Sequence, residues 1–277
     1  MRWTPGGRSP NLEDRRSSGG GMGRGLGIGG TVVVLALSLI FGRNLFTDLG
    51  VEPAGVSATG APMTAADSAA EEPEVQFVSF VLDDVQSTWE KILPQYGTRF
   101  HPARLVLFRN STDSGCGAAQ SVMGPFYCPL DERVYLDLGF FEELKQRFGA
   151  SGQFAQAYVI AHELGHHVQH LTGTDARARQ AAQSNPAQAN ELSVRIELQA
   201  DCYAGVWAHS TDQRRLLQQG DVDEALNAAS AVGDDRIQQR TTGRINVDSF
   251  THGSAAQRSE SFKRGFESGD PRNCNTL

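Results

Sequence analysis

Apolar residues recur at helical spacing along much of this chain. In the stretch from Val75 to Leu93, Phe77, Phe80, Val81, Val85, Trp89 and Ile92 fall near a period of 3.6, and Pro94 should end the helix. From Phe154 to Leu171 the apolar positions are Tyr158, Val159, Leu164, Val168 and Leu171, which predicts a second helix. A third helical stretch runs from about Asn190 to Ala208. Arg214 to Ala231 reads as one or two amphipathic helices, and Gln257 to Phe266 as a last helix closed by Gly269-Asp270-Pro271. Strand-like segments are short. Leu105 to Phe108 is one, and Val134 to Leu138, alternating apolar and polar residues, is another. The latter is either an edge on which an extended peptide could add itself or an internal strand. The pattern predicts an α+β fold dominated by helices, with a small sheet and no internal repeat.

The N-terminal part has a different composition. Residues 1–24 carry five Arg against Glu13 and Asp14, are rich in Gly, Ser and Pro, and have almost no aliphatic side chains. Such a segment is predicted to be a disordered basic tail, because it cannot bury enough apolar surface to fold alone. Gly25 to Gly42 contains no charge and centres on Thr31 to Phe41. As a helix it would reach about 27 Å, close to the ~30 Å of a hydrocarbon core, with Leu45 and Phe46 available to extend it. No small-x-small cleavage site follows closely, so residues 25–46 read as a transmembrane signal anchor rather than a cleaved signal peptide. The Arg-rich tail would then stay in the cytoplasm and the rest would lie outside it, in a single-pass cell-membrane protein. Residues 47–74, rich in Ala, Gly, Pro, Ser and Thr, read as a flexible linker, and residues 75–277 as the folded domain.

The formal net charge of −7 with a basic tail leaves the body of the chain acidic, which argues against nucleic acid as a partner. The four cysteines, Cys116, Cys128, Cys202 and Cys274, all follow the anchor. An even count on the exported side favours disulfides, and no Cys pair has the close spacing of a Cys-based metal site. Three pairings are possible. The reading favours Cys116–Cys128, closing a loop of small residues, and Cys202–Cys274, tying the tail to the third helical stretch.

The chemistry is concentrated in Ala161-His162-Glu163-Leu164-Gly165-His166-His167. His162 and His166, four apart on a helix, share one face. His-Glu-x-x-His at this spacing is the arrangement zinc hydrolases use, with Glu163 beside the metal as the proton acceptor. A third ligand is needed. Gln169 and Thr172 occupy the positions where a metzincin would have Gly and His. In Glu197-Leu198-Gln199-Ala200-Asp201, Glu197 can ligate while Asp201, one turn on, accepts the free ring N–H of a ligating histidine. Glu191 is the other acidic candidate, but its partner one turn on is Arg195. His170 is about 12 Å from His162 along the axis, and His167 points off the ligand face, so both read as packing or polar residues.

Together the two motifs resemble the gluzincin class of zinc peptidases, whose ligands are His, His and Glu. Thr251-His252-Gly253-Ser254 with Arg258 resembles the Thr-His-Pro…Arg segment of CAAX-type membrane gluzincins, with Gly253 in the place of Pro. The whole chain is similar to a bacterial family of neutral zinc metallopeptidases. The likeness runs through Met1 to Asn11, Glu13 to Arg16, Val134 to Asp137, the His-Glu-Leu-Gly-His-His core, Glu197 to Gly205 and Cys274. It implies a gluzincin-like domain holding Zn2+ through His162, His166 and Glu197, with peptides or proteins as substrates. The donor facing the oxyanion would be His252 or, failing that, Tyr203. A zinc-binding scaffold of the cell envelope would not require Glu163, whereas a hydrolase would. An amide hydrolase acting on cell-wall peptides would use the same centre.

Overall fold

The computed structural model describes residues 1–17, 65–148 and 152–276. A four-stranded sheet has the order β1 (Leu12–Asp14), β2 (Arg104–Phe108), β6 (Arg133–Asp137) and β5 (Phe126–Cys128), with only the last pair antiparallel. Ser111–Ser114 (β3) and Gly117–Gln120 (β4) form a separate hairpin. The helices are α1 (Ala65–Ala70), α2 (Glu72–Ile92), α3 (Gly139–Phe148), α4 (Gln153–Leu171), α5 (Thr174–Ser184), α6 (Ala189–Gln213), α7 (Asp221–Ala231), α8 (Asp234–Thr242) and α9 (Ala255–Ser268). The expected helix-dominated α+β fold with a small sheet is therefore present.

Why these residues form these elements is clearest in the helices. The predicted apolar face of α2 is buried, with Val81, Leu82, Val85 and Trp89 nearly inaccessible. Its α-helical hydrogen bonding ends before Pro94, at Ile92. Ser254 caps α9 reciprocally with Gln257: the Ser254 hydroxyl accepts from the Gln257 N–H, and the Ser254 N–H donates to Gln257 Oε1. Gly269, in the left-handed region at φ 61°, stops α9 one residue past Ser268. One core unites the α2, α4 and α6 faces with the inner side of β2 and β6.

Two helix crossings set the architecture around α6. Gly165 of α4 faces Ala200 of α6, where an added Cβ would stand 3.0 Å from the Ala200 carbonyl oxygen. Between α6 and α9, Gly205 and Gly265 let the backbones approach so closely that a Cβ on either would lie about 2 Å from the other helix's carbonyl. Both disulfides favoured from the sequence are present, Cys116–Cys128 and Cys202–Cys274.

The structure corrects the reading of the N-terminal region. Residues 1–17 of the predicted disordered tail pack on the domain. β1 pairs in parallel with β2, Trp3 stands edge-on to Phe77 at 5.3 Å, and the Met1 ammonium is 3.0 Å from Asp221 Oδ1. Charge pairing supplies what the tail lacks in aliphatic surface. Arg16, with its side chain 1% exposed, donates to both Asp14 oxygens at 2.9 and 2.7 Å and to Glu71 at 2.7 Å. The end of the predicted 47–74 linker is also structured, since α1 and the start of α2 fall within it and Glu71 and Glu72 receive the tail's arginines. The strand expected over Val134 to Leu138 is Arg133–Asp137 and internal; the edge on that side is β5.

Residues 25–46 lie outside the described residues. Among the described residues no helix is long and apolar enough to cross a membrane. A single crossing through 25–46 would separate tail from domain by a ~30 Å hydrocarbon core. Residues 1–17 contact the domain through Met1, Trp3, β1 and Arg16.

Arg16→Ala should leave the Asp14 and Glu71 carboxylates facing each other without their shared cation. Urea unfolding should show a loss of about 2–3 kcal/mol, the range for removing hydrogen bonds to buried charged groups. An unchanged midpoint would mean that the tail adds nothing to stability.

Candidate metal centre

His162 and His166 project from α4 with ring centroids 4.9 Å apart, and Glu197 faces them from α6. One ligand atom from each lies within 4.8 Å of the others. His162 Nε2 is 3.1 Å from Glu197 Oε2, and His166 Nε2 is 3.6 Å from Glu197 Oε1. The close crossing at Gly165 and Ala200 makes this possible, because α6 must come within one side-chain length of α4.

The partners of this triad are buried and ordered. Asp201, with no exposed surface, accepts His162 Nδ1–H at 2.8 Å, the Tyr158 hydroxyl at 2.5 Å, and Arg258 Nε and Nη2 at 2.8 and 2.9 Å. Asp201 therefore holds the Nδ1 proton of His162 and leaves Nε2 turned toward Glu197. His166 Nδ1 is 2.8 Å from Gln169 Oε1.

Electrostatics favour a cation here. Burial works against the charge on Asp201, but the Arg258 guanidinium and the His162 ring outweigh it and hold the carboxyl at about 2. Burial likewise opposes a charged His162, yet Asp201 and Glu197 raise the ring to about 10. The Glu197 carboxyl, also resisted by burial, is held far below its ordinary range by His166 and His162. The pull that would hold a proton on His162 would equally hold a metal ion. Among the described residues, Glu163, Glu197 and Asp201 gather around the Arg258 guanidinium, with His252 also acting on Glu197, and this concentration of carboxylates favours a divalent ion. Two imidazoles and a carboxylate, with both ring tautomers fixed from behind, suit zinc with a position left for water.

Glu163 lies between the histidines in sequence, 8% exposed, and burial raises its carboxyl above the ordinary value. It is not a member of the ligand triad. His252 stands just ahead of α9 with its Nδ1 3.2 Å from Asp234 Oδ1, and Asp234 Oδ2 accepts the backbone N–H groups of Thr251, His252 and Gly253 at 2.6–3.0 Å. Burial opposes the charge on His252, but Asp234 and the nearby Glu197 raise it above its ordinary value.

Other candidates fall elsewhere. Tyr203 packs edge-on against Trp89 at 5.1 Å in the core, where burial pushes its phenol up to about 12. His167 is buried, between the Tyr127 hydroxyl at 3.0 Å and the His101 carbonyl at 2.8 Å, and burial lowers it to about 4. His170 meets Asp175 at 2.9 Å. Glu191 is exposed and paired with Arg195 at 2.5 Å. Sequence reasoning missed Tyr158, Gln169 and Asp234. Tyr158 is one turn ahead of His162, a spacing that could have flagged it; nothing in the sequence pairs Asp234 with His252.

A helix-borne His-Glu-x-x-His facing a glutamate on a second helix is the ligand arrangement of the gluzincin class. The chain belongs to the family described as "Putative neutral zinc metallopeptidase", which matches it over residues 1–277. It is 47% identical over 290 residues to "Uncharacterized protein YpfJ" of Escherichia coli K12, covering 100% of this chain and 99% of that protein. It is 50% identical over 206 residues to "Uncharacterized protein Rv2575" of Mycobacterium tuberculosis H37Rv, covering 70% of this chain and 68% of that one. No solved structure matches.

Replacing Asp201 tests the arrangement behind His162. Asp201→Ala should weaken zinc binding by about 10–100-fold in competition with a chromophoric chelator, the range for a group that orients a ligating histidine. Zinc affinity equal to wild type would show that His162 does not depend on it.

Proposed function

We propose that this protein hydrolyses peptide bonds with a zinc ion held by His162, His166 and Glu197. The observation that carries the proposal is Glu163: a buried carboxyl of raised pKa beside a three-ligand cluster it does not join. A site that only stored metal would have no use for it. Bound zinc supplies a Lewis acid that acidifies water and polarises a carbonyl.

Glu163 accepts the proton of the attacking water and passes it to the leaving amine, for which a carboxyl raised by burial is suited. His252, oriented by Asp234, whose carboxylate raises the ring above its ordinary value, donates toward the developing oxyanion. Asp201, with Tyr158 and Arg258, keeps the His162 ring in one orientation. β5 ends the four-stranded sheet, an edge along which an extended peptide could add.

Attachment to a membrane through residues 25–46 and placement of the domain outside the cytoplasm are part of the same proposal. The two disulfides support an oxidising compartment. The tail contacts favour residues 1–17 sharing the domain's side.

Screening the purified full chain on quenched-fluorescence peptides tests this reading. Glu163→Gln should retain its zinc and lose about 10²–10⁴-fold in turnover; activity near wild type would overturn it. His252→Ala should keep zinc and fold while losing roughly tenfold or more. Undiminished turnover would remove His252 from the mechanism.

A further inference from the structure

Behind His166 lies a row of side-chain amides that the mechanism above does not use. Gln169 is wholly buried and Gln199 is 4% exposed. Gln169 Nε2 donates to the Ile196 carbonyl at 2.7 Å and to Gln199 Oε1 at 3.1 Å. Gln199 Nε2 donates to the Cys274 carbonyl at 3.1 Å. Gln169 Oε1 is 2.8 Å from His166 Nδ1.

Backbone carbonyls only accept, so each fixes the amide facing it. The Cys274 carbonyl requires the nitrogen of Gln199 and turns Gln199 Oε1 toward Gln169. The Ile196 carbonyl and Gln199 Oε1 both require the nitrogen of Gln169, which turns Gln169 Oε1 toward His166. An amide oxygen cannot donate, so His166 Nδ1 must carry the proton. In the neutral ring Nε2, 3.6 Å from Glu197 Oε1, is then left with a lone pair. The far end of the row is fixed covalently, since Cys274 is bonded to Cys202 on α6, next in sequence to Asp201.

We propose that Gln169 and Gln199 are positioning residues that set the tautomer of His166 through a hydrogen-bond relay anchored on the Cys274 carbonyl. The two histidines are thus held by different means: His162 by the Asp201 carboxylate, and His166 by neutral amides whose direction is dictated from the C-terminal turn. The Cys202–Cys274 disulfide acts on the metal centre through this row. The proposal rests on reading His166 as a zinc ligand.

Two measurements on the full chain test it: zinc affinity by chelator competition, and the His166 ring tautomer by nitrogen-15 NMR on zinc-free protein with labelled histidine. Wild type should show Nδ1–H. Gln169→Leu should lose that preference and bind zinc about tenfold more weakly. Gln199→Leu should show a smaller loss in the same direction, as should a Cys202→Ser/Cys274→Ser double variant. If the double variant does not fold, Gln199→Leu carries the test. Wild-type zinc affinity and an intact Nδ1–H signal in Gln169→Leu, while His166→Ala loses zinc, would overturn the relay. If His166→Ala binds zinc as wild type does, the ligand assignment fails instead. The relay then stands if Gln169→Leu loses the Nδ1–H signal and falls if it keeps it.

Discussion

The carboxylate of Asp201 is the constraint on which the site depends. It has no contact with water, and its charge is offset only by what surrounds it: Arg258 from α9, and Tyr158 and His162 from α4. A charge buried this way is tolerated only when its partners are in place, and removing one leaves the others uncompensated. Asp201 sits on α6, so the network locks three helices into one arrangement. That arrangement puts Glu197, one turn earlier on α6, opposite His162 and His166. The glycine contacts make the same demand sterically: Gly165 against Ala200, Gly205 against Phe262 and Gly265 against Cys202 allow the approach that the Asp201 network requires.

The C-terminal third of the chain therefore belongs to the metal centre as fully as the His-Glu-Leu-Gly-His motif does. α9 contributes Arg258, the turn before it carries His252, α8 begins with Asp234, and the terminal turn reaches back to Gln199 through Cys274. The N-terminal seventeen residues are tied in from the opposite end of the sequence, by β1 on β2 and by Met1 on Asp221 at the start of α7.

Much of the centre was legible in the sequence because helical periodicity converts spacing into geometry. A spacing of four from His162 to His166, and from Glu197 to Asp201, places each pair on one helix face, and the chemistry of the residue types does the rest. The principal helices and two of the strands were legible for the same reason. The tail was not. Its order comes from ion pairs with Glu71 and Glu72 more than fifty residues away, and from a parallel strand pairing that composition does not encode. Asp234 and the Gln169–Gln199 row escaped for a related reason, since polar side chains matched across elements leave no periodic trace. Tyr203 looked available because it is near Glu197 in sequence, but six residues on, the helix turns it to the Trp89 side.

The central claim, that His162, His166 and Glu197 together hold the metal, is tested most directly by the metal content of purified protein, measured by mass spectrometry for wild type, Glu197→Ala and Glu191→Ala. The account predicts about one zinc per chain in wild type and in Glu191→Ala, and loss of zinc in Glu197→Ala, because a catalytic zinc site is held by only three protein ligands. Zinc retained in Glu197→Ala but lost in Glu191→Ala would contradict it.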